Sequence, residues 1–224
     1  MPDPHMKDDA AALAAATVAD ALERDEGPMT PAKRRIVEEA VLAFAERGFD
    51  GTSTKDIARR AGVSEAAIFR HFPSKKELLL RMFRPLAEHV IVPTGLDEVR
   101  AAAGQGGSLA EIVALLMRSR LAFARRHAPL VRVLVQELPF HPELQQVMLA
   151  HLPRLRAVVD HVVADRMARG EMVRVPPDRL IRWFGSLFLG YFLISTQTAG
   201  SVEWDDEAEI AAMAEMIARG LERG

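Results

Sequence analysis

The sequence predicts an all-α protein in two parts, an N-terminal three-helix domain built round a helix-turn-helix and a C-terminal helical domain. Three observations predict it. Apolar residues recur at helical spacing along nearly the whole chain, and no run alternates with the two-residue period of a strand. Hydroxyl side chains stand three residues before an acid at Ser53-x-x-Asp56 and Ser74-x-x-Glu77, the pattern that opens a helix. Between them Gly62-Val63 joins two short helical segments through so tight a turn that they must cross steeply rather than lie antiparallel.

Taken in order, residues 1–27 form an Ala/Asp-rich extension ending in Glu26-Gly27-Pro28, read as disordered or as a frayed helix. Asp3, Asp8 and Asp9 precede its alanine run, where an export signal needs positive charge. Thr30-Pro31 opens the first firm helix, with Thr as N-cap and Pro at a position whose missing N–H costs nothing. Ile36, Ala40, Ala43 and Phe44 make its apolar stripe, and Gly48 ends it after Arg47. A helix to Ala61 and another from Ser64 to His71 follow, then a longer one from Ser74 that Pro85 should kink or stop near Arg84. Pro93 to Ser108 is a Gly-containing break. Beyond it helices are expected at 108–126, 129–138, 142–169, 178–198 and 205–222, the third bent at Pro153. The domain division expected from this pattern is 1–27, 28–84 and 85–224.

Composition narrows the function. A chain of 224 residues, 49% of them hydrophobic, can bury two helical cores. With no cysteine it has no disulfide, catalytic thiol or thiolate metal site, which suits a reducing cytosol and a cytoplasmic location. The apolar stretch Leu187 to Ile194 is far short of the ~20 residues that span a bilayer, so no membrane association is expected. The net charge of −2 conceals a division. Residues 28–84 hold 12 Lys or Arg against 7 Asp or Glu, a net +5, which leaves −7 on the remainder. A basic segment on an acidic body lets one end alone approach phosphate.

On the segment from Ser64, Ile68 and Phe72 are four apart and turn inward, while Ala66 and Arg70 point the other way with Glu65 and Phe69 beside them. Small side chains at Ala66 and Ala67 admit base edges and thymine methyls, and Arg70, Lys75 and Lys76 can meet phosphates. Ala61-Gly62-Val63-Ser64, then Ile68-Phe69-Arg70-His71-Phe72-Pro73-Ser74-Lys75-Lys76-Glu77-Leu78, resembles the DNA-binding domain of the TetR family of regulators. Ala43 to Ser53 fits the same pattern, and the resemblance runs from about Ala32 to Phe83.

The resemblance implies that Thr54 and Lys55 touch the DNA backbone and that Ser64, Glu65, Ala66 and Ala67 sit near bases. It places Phe69, Arg70, His71 and Lys75 against the sugar-phosphate strand. Phe69 stands where family members often carry Tyr, so a hydroxyl-to-phosphate bond is missing. Glu65 is an acid where many members are neutral or basic. Either it accepts from a cytosine N4 or it serves the dipole of its own helix N-terminus, the preferred reading.

The resemblance further implies a homodimer on an inverted-repeat, double-stranded operator, most often a repressor released by a small molecule. The last two long helices would pack against a partner through Gly185, Leu189, Ile210, Met213, Ile217 and Leu221. A lipophilic effector would be lined by Phe83, Met117, Phe123, Phe140, Met148, Leu152, Trp183 and Tyr191. His141, His151 and His161 recur every ten residues and so drift about 80° per step round a helix, which makes no ligand set. No HExxH, GxSxG, P-loop or GxGxxG occurs, so neither a metal, a cofactor nor an enzyme is expected. The competing reading is a ligand-binding or protein-interaction module that keeps the helix-turn-helix as scaffold.

Overall fold

The computed structural model describes residues 4–222, and among these the only strand-like pairing is one antiparallel bridge between Met172 and Glu222. Twelve α-helices run in the order α1 Pro4–Glu26, α2 Pro31–Arg47, α3 Thr54–Ala61, α4 Glu65–His71, α5 Lys75–Leu86, α6 Leu96–Gly104, α7 Leu109–Arg126, α8 Ala128–Glu137, α9 Pro142–Leu149, α10 Leu152–Ala168, α11 Pro177–Thr198 and α12 Asp206–Leu221. The all-α class read from the periodicity is the observed one.

The N-terminal helices start at the predicted hydroxyl caps. The side chains of Thr30, Ser53, Ser64 and Ser74 accept from the backbone N–H of Lys33, Asp56, Ala67 and Glu77 respectively. Ser108 and Glu111 complete a reciprocal box at the head of α7, each side chain accepting from the other's backbone N–H at 3.2 and 2.7 Å.

The chain divides into two compact units, and not at residue 84. One runs to Val92 and takes in Arg125–His151; the other comprises Pro93–Ala124 and the chain from Leu152 onward. Two local facts account for the difference. Pro85 does not end its helix: α5 continues to Leu86 and passes into a wider π-type turn at Ala87–Ile91. The later pair α8 and α9 also sends Leu130, Val133 and Leu144 into the same core as Ile36, Val37, Phe44, Ile57, Ile68, Leu79 and Phe83.

The extension read as loose is a helix of that first unit. Ala14, Ala15, Val18, Ala19 and Leu22 are buried in its core at three- and four-residue spacing, so the alanines are the packing face of α1. Its polar side is tied down by charge. Glu26 accepts from Lys33 at 2.6 Å and from Arg81, while Arg34 donates to Asp20, Glu23 and Glu38 at 2.5, 2.8 and 3.0 Å. Burial alone would raise the Glu26 carboxyl, but the hydrogen bonds from Arg81 and Lys33 outweigh it and hold it below the ordinary value.

The expected break after Pro93 contains α6, and the long helix expected over 142–169 is interrupted at Ala150–His151, giving α9 in the first unit and α10 in the second. Phe184, Phe188 and Phe192 stack along one side of α11 at 6.3 and 6.4 Å between ring centroids. Tyr191 packs edge-on against Trp204 and donates to Asp206 at 2.6 Å, joining α11 to α12. Ile210, Met213 and Leu221, expected to face a partner, are buried within their own chain, where they seat α12. Among the described residues of the second unit the exposed large apolar side chains are Leu152, Trp183, Ile194, Val202 and Met216, with Trp183, Ile194 and Met216 more than half exposed.

Leu22→Ala is expected to destabilise the protein by about 3 kcal/mol in thermal or urea unfolding, the cost of a core cavity. A change under about 0.5 kcal/mol would show that α1 is no part of the cooperative unit.

Candidate nucleic-acid interface

Helices α3 and α4 are set by the turn between them. Gly62 adopts φ 67° and ψ 35°, the left-handed region open to glycine, and its neighbour Val63 donates back to the Ala58 carbonyl at 3.0 Å. A Cβ at Gly62 would meet nothing within 4 Å, so glycine serves the backbone angle rather than a crowded space. The inner faces then lock. Ile57, Ile68 and Phe72 are fully buried, and Arg35 donates to the terminal carbonyl of α3 at Ala61, 3.1 Å away.

The outer face of α4 is free of the first unit's own chain. Ser64, Glu65, Ala66 and Arg70 are exposed, Ala67 is half-buried, and the Phe69 ring is 45% exposed. Lys55 is exposed and Thr54 half-buried at the start of α3. All of these residues, with His71, lie on the two helices and the turn that the sequence marked out. The Thr54 hydroxyl donates to the Glu65 carboxylate at 2.5 Å, so the acid bridges the first turns of both helices. Partial burial, then the nearby charges of Lys33, Arg70 and Arg81, hold the His71 imidazole below its ordinary value.

Lys75 is placed differently from the expectation. Its ammonium donates to the carbonyls of Phe49 and Thr52 at 2.7 and 2.9 Å and lies 4.1 Å from the centre of the Phe49 ring. A charge so engaged clamps the α2–α3 connection to the head of α5 and is not turned toward a phosphate. Lys76 pairs with Glu143 at 2.5 Å on α9.

Sequence reasoning missed Arg81, whose guanidinium donates to the His71 carbonyl at 2.8 Å and lies 5.1 Å from the Phe72 ring centre while binding Glu26. It also missed Thr52, whose buried hydroxyl sits 3.0 and 2.8 Å from the carbonyls of Ala43 and Gly48. Arg81 carries no local signal, because its Glu26 partner lies 55 residues away.

The residues read as effector lining fall in different units. Phe83, Phe140 and Met148 belong to the first; Phe83 fills its core, whereas Phe140 is 77% exposed. In the second unit Met117 and Tyr191 are buried and Phe123 half-buried, while Leu152 and Trp183 face outward. A separate open cleft of about 550 Å³ in that unit is lined by Val163, Met167, Arg174 and Pro176 among others, none of which the sequence singled out.

Fold and surface together define a helix-turn-helix DNA-binding protein. Residues 36–82 match the model of bacterial regulatory proteins, tetR family. An uncharacterised HTH-type transcriptional regulator of Mycobacterium bovis is 24% identical over 149 residues, 66% of this chain and 69% of that protein. Among solved structures, NalD of Pseudomonas aeruginosa, the secondary repressor of the MexAB-OprM multidrug efflux pump, superposes with a TM-score of 0.64 at 21% identity, over 86% of this chain and 97% of that one. FadR of Bacillus subtilis in complex with stearoyl-CoA gives 0.63 at 17% identity, over 84% and 98%. The helix-turn-helix segment is thus that of the tetR family of bacterial regulatory proteins, and the protein is a DNA-binding transcriptional regulator. Among the described residues no helix is long and apolar enough to cross a membrane.

Lys75→Met keeps the aliphatic stem and removes the charge; it is expected to cost about 2 kcal/mol of stability by leaving two carbonyls unbonded. The slope of DNA affinity against salt should stay as in the parent. A slope reduced by about 1 would return Lys75 to the phosphate-contacting set.

Proposed function

We propose that the protein is a homodimeric, effector-responsive repressor that reads an inverted repeat of double-stranded DNA with one copy of α4 per half-site. The observation that carries this reading is the division of α4 into a buried face, Ile68 and Phe72, and a bare one, Ser64, Ala66 and Arg70. In a two-fold dimer the two helices meet major grooves about 34–36 Å apart, one turn of B-DNA. Ser64, Glu65, Ala66 and Ala67 lie against base edges; Thr54, Lys55, Phe69, Arg70 and His71 follow the sugar-phosphate strand. Glu65 serves the helix start and the Thr54 hydroxyl, rather than a cytosine. Lys75 supports the site from behind.

The exposed Trp183, Ile194 and Met216 on α11 and α12 support a partner at that face. NalD is named a repressor and FadR was solved with stearoyl-CoA, which supports repression and a lipophilic effector. We place that effector in the second unit, beside Met117, Phe123 and Tyr191. It acts by binding one conformation better than the other, and nothing in the scheme calls for enzymatic turnover.

The test is selection from a randomised duplex pool with the full chain, followed by binding to the selected sequence. An inverted repeat is expected, and Arg70→Ala should weaken binding about tenfold and lower the salt slope by about 1. A single half-site, or no preference at all, would overturn the reading.

Phosphates beside His71 would favour its charged form, so the imidazole's proton affinity would be higher in the complex than in free protein, where partial burial and nearby cations hold it below the ordinary histidine value. Binding then takes up a proton, and affinity should rise as pH falls from about 7 to about 5.5. His71→Gln should flatten that rise; an identical profile would remove His71 from the interface.

A further inference from the structure

α4 has only seven residues, too few to hold its own ends, and its last carbonyls have no partner within the helix. One of them, at His71, receives the Arg81 Nη1–H at 2.8 Å. The same guanidinium lies over the Phe72 ring at 5.1 Å and grips Glu26 with its remaining edge, Nε to Oε1 at 2.8 Å and Nη2 to both carboxylate oxygens at 2.5 Å. Glu26 is the final residue of α1, where the helix dipole disfavours an acid. It is retained there by two cations, Arg81 and Lys33 at 2.6 Å, and Lys33 in turn stands 6.0 Å from the same Phe72 ring.

We propose that Glu26 and Arg81 are positioning residues for DNA reading: the N-terminal helix, acting through this pair, sets the pitch of α4 by holding its C-terminal carbonyl. The inference rests on α4 being the helix that enters the groove. Charge alone does not do this. A guanidinium can face a carboxylate with two parallel N–H groups while a third reaches a carbonyl; a lysine ammonium cannot present that planar fork. The pair's contacts are to protein, Glu26 to Arg81 and Lys33 and Arg81 to Glu26, the His71 carbonyl and the Phe72 ring, so it acts on selectivity without adding a phosphate contact. The alanine face of α1 is what brings Glu26 to its place, since its buried residues run to Leu22, one turn before the acid.

The experiment uses the full chain, a duplex selected by the parent protein from a randomised pool, and a shuffled duplex of equal length. Four proteins are compared: the parent, Glu26→Gln, Arg81→Lys and the swapped pair Glu26→Arg/Arg81→Glu. Each is followed by thermal unfolding and by affinity for both duplexes. The single variants are expected to lose about tenfold in the ratio of selected to shuffled affinity while binding the shuffled duplex as the parent does.

The swapped pair separates positioning from mere support. It remakes the ion pair but sets a carboxylate against the His71 carbonyl, so it should regain melting temperature and not selectivity. Recovery of both, or single variants that lose stability with an unchanged affinity ratio, would overturn the proposal. Failure of the parent to select any sequence would instead overturn the reading of α4 itself.

Discussion

A helix of two turns cannot hold itself, and the proposed reading surface depends on how the seven residues of α4 are anchored. Ile68 and Phe72 drive one side of α4 into a core shared with α1, α2, α5, α8 and α9. The Ser64 hydroxyl satisfies the N-terminal end and the Arg81 guanidinium the C-terminal end. What remains outside is a strip too narrow to pack against anything and small enough, at Ala66 and Ala67, to admit another backbone or a base edge. The same anchoring explains why residues far along the chain belong to this unit: Leu130, Val133 and Leu144 complete the wall against which the helix-turn-helix leans.

The second constraint is electrostatic. The +5 surplus of residues 28–84 is not a uniform positive field. Lys33, Arg34, Arg60, Lys76 and Arg81 are each engaged by carboxylates of the first unit, and Arg35 and Lys75 by backbone carbonyls. The Glu46 and Glu39 carboxylates raise the Arg60 guanidinium still further above its ordinary range. Most cations of the segment are therefore internal fasteners. Arg47, Arg59 and Lys76 are exposed but paired with carboxylates, and Lys55, Arg70 and Arg84 are exposed as well, so the positive charge open to solvent is smaller than the bare count of twelve.

The helix-turn-helix was legible because its information is local. Hydroxyl caps, a glycine at a left-handed angle and a four-residue apolar step each speak within a single turn of chain. The N-terminal helix was illegible for the opposite reason: alanines at 14, 15 and 19 mark a packing face only once a partner surface is known. Lys75 misled because a lysine beside a DNA-reading helix looks like a phosphate ligand until the Phe49 and Thr52 carbonyls fold back onto it. The division of the chain could not be read from Pro85, since the helix absorbs that proline and the widened turn follows it. The effector residues suffered most. Choosing large apolar side chains along a helical sequence mixes core members such as Phe83 with outward ones such as Phe140, and no periodicity separates them.

The alanine face of α1 also bears on how freely this protein can drift. Ala14 and Ala19 are wholly covered and Ala15 nearly so, and in a close-packed core a larger side chain at such a position costs about 1–3 kcal/mol. A stretch whose low complexity suggests indifference to substitution is therefore among the least permissive in the chain. Random variation should be accepted more readily at the exposed Asp97, Glu98 and Ala101 of α6 than among the plainest letters of the N-terminus.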